Sequence, residues 1–223
     1  MEDPFASQRE QMVAGQIARR GILDPRLLAV LREIPRHLFV PTNQEQWAYE
    51  DGPLSIGLGQ TISQPYIVAL MTNLCQLEGG ETVLEIGTGS GYQAAILGKM
   101  AGTVHTMERH MELAARARRV LDELEIHNVH IHLGDGSTGW AEAAPYHAIV
   151  VTAAAPRVPP ALLEQLAPNG RLVIPVGSRF SQTLQVWIRL QDRFLYEDII
   201  PVVFVPLLGK NGWTRDDASG MDG

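Results

Sequence analysis

Val83-Leu84-Glu85-Ile86-Gly87-Thr88-Gly89-Ser90-Gly91-Tyr92 is the stretch whose reading decides the fold. A β-branched and apolar run ends in a carboxylate, three glycines follow at every second position, and Tyr92-Gln93-Ala94-Ala95-Ile96-Leu97 opens a helical pattern. This reads as a strand, a tight turn and a helix start. Glycines suit such a turn because it needs positive φ and lets a ligand approach the bare backbone, while the helix N-terminus behind it presents free N–H groups. The expected ligand is a nucleotide-like cofactor, and the plain alternative is a Gly-rich βα turn that binds nothing.

Spacing narrows the choice. A dinucleotide fingerprint, G-x-G-x-x-G, needs a glycine where Tyr92 stands, and a nucleophile elbow around Ser90 needs glycines where Thr88 and Tyr92 stand. The pattern acidic-x-G-x-G-x-G instead resembles the first motif of class I methyltransferases, which bind S-adenosylmethionine. A second strand-like run, Thr103-Val104-His105-Thr106-Met107-Glu108, ends in a carboxylate at about the ~20-residue distance a ribose-binding acid requires. Taken alone, Glu108 is a solvated strand end; paired with the glycine turn, it reads as a ribose acceptor.

The chain has 223 residues, enough for one large α/β domain with a full core. Its formal charge of −7 disfavours nucleic acid as a partner, since phosphate binding draws on clustered Lys and Arg. Cys75 is the single cysteine, so neither an intramolecular disulfide nor a cysteine metal cluster is expected, which suits a reducing cytoplasm. Met1-Glu2-Asp3-Pro4 lacks the basic and apolar regions of a signal peptide, and no apolar run is long enough to span a bilayer. A cytoplasmic protein without a membrane partner is expected.

In chain order, Met12, Val13 and Ile17 recur at helical spacing in a first helix from about Phe5 to Arg20, stopped by Gly21. Asp24-Pro25 reads as an N-cap with proline at the first helical position, and Pro35 ends that second helix. Arg36 to Gln60 reads as a long irregular loop whose Phe39, Trp47 and Tyr49 favour a packed, functional segment. Ser63 is expected to cap a helix that begins with Pro65 and Tyr66. After Gly79-Gly80, strand and helix alternate, which implies βαβ units and a parallel sheet. A helix is expected from Met111 to Glu125, strands at Val129 to Leu133, His147 to Thr152 and Gly170 to Val176, and a short helix from Pro159 to Leu166. Thr183 to Arg189 and Phe194 to Val205 alternate like an antiparallel pair turning at Gln191-Asp192-Arg193, and Arg215 to Gly223 reads as a loose tail.

The expected fold class is α/β, a doubly wound and mostly parallel Rossmann-like methyltransferase sheet with N-terminal helices and an antiparallel C-terminal strand pair. One domain is expected over 1–223, with an N-terminal helical and substrate-loop part over 1–78, a cofactor-binding core over 79–208 and a polar tail over 209–223. Ligands in such sheets sit beyond the carboxyl strand ends, so Glu85, Glu108, Asp135 and Thr152 are expected to face one crevice. Asp135-Gly136 reads equally as an adenine contact or a plain turn. His130 and His132 share one strand face with His127 nearby, but no third ligand is marked, and an exposed strand face is preferred to a metal site. Thr152-Ala153-Ala154-Ala155-Pro156 stands where amino-methylating nucleic-acid enzymes place Asn/Asp-Pro-Pro-aromatic, so that amine grip is absent.

Gly59-Gln60-Thr61-Ile62-Ser63-Gln64-Pro65-Tyr66, the glycine turn, Gly134-Asp135-Gly136 and Val205-Pro206-Leu207 together closely resemble the protein-L-isoaspartate O-methyltransferases, from the N-terminal helices to about Leu208. The resemblance implies a repair enzyme that uses S-adenosylmethionine, without a metal, to methylate the free α-carboxylate of isoaspartyl residues in damaged proteins. It implies Ser63 as the active-site serine, with Thr61, Ile62 and Val205 on the substrate side. It implies Glu85, Gly87 and Gly89 at the methionine part of the cofactor, Glu108 at the ribose, and Asp135 with Gly136 at the adenine. Two positions depart from animal members, Tyr66 in place of His and Leu208 in place of Thr. The remaining readings are a methyltransferase acting on a small molecule held by the Arg36–Gln60 loop, and a non-catalytic module that senses an adenosyl nucleotide.

Overall fold

The computed structural model describes residues 3–191 and 193–214, so Met1, Glu2, Asp192 and the expected tail from Arg215 to Gly223 lie outside the described residues. The opening is helical: α1 (Ala6–Gln11) continues as a π-helical turn, Met12–Ile17, and a 3₁₀ turn, Ala18–Arg20, closed by Gly21 at φ 90°. Helix α2 (Pro25–Glu33) begins where expected. The Asp24 carboxylate accepts from the N–H groups of Arg26 and Leu27 at 2.8 and 3.3 Å, a cap of about 1 kcal/mol.

The segment expected to be irregular is largely ordered. Two 3₁₀ turns, Arg36–Phe39 and Thr42–Trp47, lead into a hairpin of β1 (Leu54–Gly57) and β2 (Gln60–Ile62), paired antiparallel with Leu54 opposite Ile62. Its turn places Leu58 at φ 55° beside Gly59 at φ 70°, and a leucine in a left-handed turn position carries no turn signal in sequence. Helix α3 (Pro65–Leu74) follows, with Gln64 rather than Ser63 at the N-cap and no side-chain cap bond. Pro65 has no N–H to satisfy, which lowers the demand for a capping hydroxyl.

The core of the chain is a seven-stranded sheet in the order β5-β4-β3-β6-β7-β8-β9. Strands β3 (Thr82–Ile86), β4 (Thr103–Glu108), β5 (Val129–Leu133), β6 (Tyr146–Val151) and β7 (Leu166–Gly177) pair in parallel, and β8 (Gln182–Leu190) and β9 (Arg193–Val202) add antiparallel. This is the expected doubly wound, Rossmann-like sheet with antiparallel strands at its C-terminal end. Helices α4 (Tyr92–Met100), α5 (Met111–Glu123) and the short α6 (Pro160–Glu164) complete the crossovers. Successive strands run outward from β3 to β5 and then restart on the other side of β3, so strand order reverses at β3 and β6. A ligand crevice belongs at that point.

Each face of the sheet buries its own apolar cluster. One joins Met12, Ile17, Leu27 and Leu31 of the N-terminal helices to Ile96 and Leu97 of α4 and to Val83 and Val104 of the sheet; the other gathers Leu84, Ile86, Tyr146, Ile149 and Leu172. Helix α4 is therefore buried on nearly every side, between sheet and N-terminal helices. Gly91 makes this possible. It starts α4 at φ 89°, and a Cβ there would lie 2.9 Å from Cβ of Ala117 on α5. Gly91→Ala is expected to cost about 1–3 kcal/mol from positive φ alone, with crowding against α5 in addition. Denaturant unfolding checks this, and an unchanged midpoint would contradict the packing account.

Candidate active site

The cleft opens at the carboxyl ends of β3, β4 and β6. It is walled by the glycine turn, Glu108, Thr152, the Gln60–Ser63 segment and Leu207. The turn is held from three directions. The Thr152 hydroxyl donates to the carbonyls of Ile86 and Gly87 at 3.0 and 2.7 Å, and a Cβ on Gly87 would lie 2.4 Å from that hydroxyl oxygen. Gly89 gives its N–H to Glu108 at 2.8 Å. Thr88 shares a 2.7 Å hydroxyl contact with Thr106, which in turn donates to Glu85.

The expected acidic residues separate into two kinds. Glu108 lines the cleft, and its carboxylate accepts the N–H groups of Gly89, Arg109 and His110, each at 2.8 Å, so its oxygens are fixed in place beside the turn. Glu85 lies under the turn, outside the lining, with no exposed surface and with Oε1 lacking a partner. Burial pushes its carboxyl up to about 8; the Thr106 hydroxyl opposes this, and Glu108 adds to it. Asp135 also stands aside from the cleft. Its carboxylate accepts from the N–H and hydroxyl of Ser137 at 2.9 and 2.7 Å and from the N–H of Lys210 at 2.7 Å, while Gly134 and Gly136 supply the wall. Burial alone would raise the Asp135 carboxyl, but the N–H groups of Lys210 and Ser137 outweigh it and hold it below the usual range.

The first residues after Leu208 are anchored to the same loop. Lys210 and Asn211 bond to Asp135 and Ser137, and the Trp213 indole donates to the Ala154 carbonyl at 3.1 Å. Val205 accepts from the Ala154 N–H at 2.8 Å, which fixes Val205-Pro206-Leu207 along the loop after β6.

A second cavity adjoins the cleft, lined by Pro53, Ile67, Pro201, Val203, Phe204 and their neighbours. Thr61, Ser63, Thr152 and Val205 line both. Ile62 faces the first, and Tyr66 packs outside both, under the guanidinium of Arg20 at 4.9 Å from its ring centre. The Ser63 hydroxyl has no hydrogen-bond partner among the described residues, whereas the Ser63 carbonyl accepts from Arg36 at 2.8 Å. Sequence reading left out Arg36, Gln93 and Arg109. Both cleft-lining residues carry a polar side chain on an element already in hand, but Arg36 gave no signal.

The expected histidine face is a ring stack. His105 and His132 approach at 2.9 Å between ring nitrogens, and His132 stacks on Trp140 at 4.1 Å between ring centres. Among the described residues, no group of three His, Cys, Asp or Glu side chains is placed to hold a metal ion.

The family model for protein-L-isoaspartate(D-aspartate) O-methyltransferase matches residues 7–212. The chain belongs to this family. Among its relatives, a protein-L-isoaspartate O-methyltransferase of Desulfotalea psychrophila is 52% identical, covering 96% of this chain and 100% of the relative. One of Trichlorobacter lovleyi is 55% identical, covering 94% of this chain and 97% of the relative. A solved protein-L-isoaspartate O-methyltransferase structure is 29% identical with a TM-score of 0.81, covering 91% of this chain and 66% of that one. A Plasmodium falciparum structure of the same family, in complex with S-adenosyl-L-homocysteine, is 26% identical with a TM-score of 0.77, covering 93% and 99%.

Glu85 yields a test of the site's electrostatics. A carboxyl whose folded value, about 8, lies above its ordinary 4.5 takes up a proton on folding. Its stabilising contribution is complete below the ordinary value and is lost as pH rises through about 8. Wild type is therefore expected to lose stability relative to Glu85→Gln over that window, by up to about 1.4 kcal/mol per pH unit. Unfolding of both proteins at pH 5 and pH 8 checks the sign, and a constant difference would place the proton elsewhere.

Proposed function

We propose that the chain is a protein repair methyltransferase that transfers the methyl group of S-adenosylmethionine to the α-carboxylate of L-isoaspartyl residues in damaged proteins. The observation that carries this reading is the meeting of two cavities at Ser63, Thr61, Thr152 and Val205. One cavity suits a nucleoside cofactor and the other is open to a peptide.

The residues present fit the cofactor. Gly87 and Gly89 keep the turn free of side chains, Glu108 presents a fixed carboxylate for ribose hydroxyls, and Ile86, Met107 and Leu207 give the apolar wall that a purine needs beside Gly136. When bound, S-adenosylmethionine supplies an activated methyl group. The chain need not remove a proton from the acceptor, because a carboxylate is already ionised at neutral pH. Its task is to hold the acceptor oxygen in line with the methyl carbon and exclude water. In this reading the Ser63 hydroxyl, which lines both cavities, donates to that carboxylate, with Thr61, Ile62 and Val205 shaping its surroundings. Among the described residues no base is positioned on Ser63, so it orients and forms no covalent intermediate.

The cytoplasm is the compartment we favour: Cys75 is a buried free thiol, pushed up to about 12 by burial, and among the described residues no helix is long and apolar enough to cross a membrane.

Labelled methyl transfer is expected to an isoaspartyl peptide and not to its normal aspartyl twin; equal labelling of both, or of neither, would overturn the reading. Ser63→Ala is expected to lower kcat/KM roughly ten- to hundredfold, the loss of one hydrogen bond of about 1.5–3 kcal/mol to a charged group. Because Gln64 holds the N-cap, the unfolding midpoint should stay put. A wild-type kcat/KM in Ser63→Ala would remove the serine from the reaction.

A further inference from the structure

Arg36 is the largest side chain with no exposed surface in the described chain. Its Nε donates to the Ala48 carbonyl at 2.7 Å, one Nη donates to the Ser63 carbonyl at 2.8 Å, and the other Nη has no partner. The guanidinium carbon lies 4.9 Å from the ring centre of Tyr92, a residue that lines the cofactor cleft. No carboxylate pairs with it among the described residues. A guanidinium withdrawn from water without a counter-charge is costly, and two carbonyls and a ring face compensate incompletely.

The groups around it sharpen the point. Tyr49 and Tyr92 are the ionisable side chains that act on Arg36, and burial raises both phenols, so both are neutral at neutral pH. Arg36 itself, lowered to about 10 by burial, remains charged. The other nearby cations are paired or screened by water: Arg20 pairs with Asp51, half-buried Arg116 donates to the Ile56 carbonyl, and Arg109, on the far wall, is exposed to solvent. The cleft wall carries Glu108. An anionic acceptor approaching it needs a compensating positive field, and the one buried against Ser63 is Arg36.

We propose that Arg36 is a positioning residue for the acceptor, holding Ser63 by its backbone carbonyl and supplying from behind it the positive charge that selects an ionised carboxylate. This rests on the isoaspartyl reading above and deepens it. Arg36 does not touch the acceptor; it acts through Ser63, whose hydroxyl makes the contact. The acceptor carboxylate then serves as the missing counter-charge, present when substrate is bound.

The test compares two peptides that differ in one charge, an isoaspartyl peptide and its twin with the α-carboxylate converted to a carboxamide. Binding of each is measured by calorimetry with S-adenosylhomocysteine present, for wild type, Arg36→Gln and Arg36→Lys. Wild type is expected to prefer the carboxylate, and Arg36→Gln to lose about tenfold of that preference, the size of a screened attraction across one side chain. Arg36→Lys keeps the charge but not the planar fork, so it should retain the preference while kcat falls. Affinity for S-adenosylhomocysteine should hold in both. Equal weakening of both peptides in Arg36→Gln would make Arg36 a mere structural tie and overturn the proposal. If Arg36→Gln does not fold, loss of the preference in Arg36→Lys would overturn it equally. Failure of the wild type to methylate the isoaspartyl peptide would instead sink the functional reading, and this inference with it.

Discussion

The carboxylate of Glu108 accepts three backbone N–H groups, and the rest of the site depends on that fact. One comes from the glycine turn after β3 and two from the chain that leaves β4, so a single side chain locks two neighbouring βα turns into one rigid rim. Charge-assisted bonds of this kind are about twice as strong as neutral ones. The opposite side of the turn is closed by Thr152 from β6, which leaves Gly87 no room for any side chain. The rim therefore exists before a ligand arrives, and ligand binding need not pay the entropy of forming it.

Against this rim the N-terminal helices deliver the second half of the site. Helix α2 packs on α4, and the π-helical turn Met12–Ile17 packs on α2 and α3, in one continuous apolar cluster, which sets the height at which the hairpin and the start of α3 arrive. Ser63 lies between that hairpin and α3, where the backbone is neither strand nor helix. Such a segment would drift if nothing held its polar groups. Arg36 bonds its carbonyl, and Gln64 bonds Asp51 at 2.7 Å, so the loop is tied on both sides of the residue that faces the cleft.

The strand, turn and helix at Val83–Leu97 were legible because each is signalled locally: a β-branched run, glycines forced by positive φ, and an apolar helix. Asp24-Pro25 was legible for the same reason. The hairpin at Leu54–Ile62 was not, because its strands are four and three residues long and its turn uses Leu58 where Asn or Gly is expected. Among the expected site residues, Glu108, Gly87, Gly89, Gly136, Thr61, Ile62, Ser63 and Val205 line the cleft or its neighbour, whereas Glu85 and Asp135 stand behind its wall. A motif fixes which residue occupies a strand end but not whether its side chain turns toward ligand or toward its own backbone. Arg36 was invisible because its partners, the carbonyls of Ala48 and Ser63, are set by tertiary packing and leave no trace in residue type.

Asp135 shows how a residue at an expected site position is also tied into the scaffold. Its carboxylate anchors Lys210, and through Ser137 also Asn211, while Gly209 lies so close that a Cβ would fall 1.9 Å from the carboxylate oxygen. The stretch from Val205 to Trp213, which turns back on itself between Leu208 and Trp213, is thereby pinned twice, at Asp135 and at the carbonyl and N–H of Ala154. Along that one stretch, Leu207 walls the cofactor cleft and Val205 borders both cavities. A segment bonded at both ends is held as a unit rather than residue by residue, so the walls of the two cavities share one mechanical support. The two cavities are thereby held to a common frame, with Asp135 at one of its anchors.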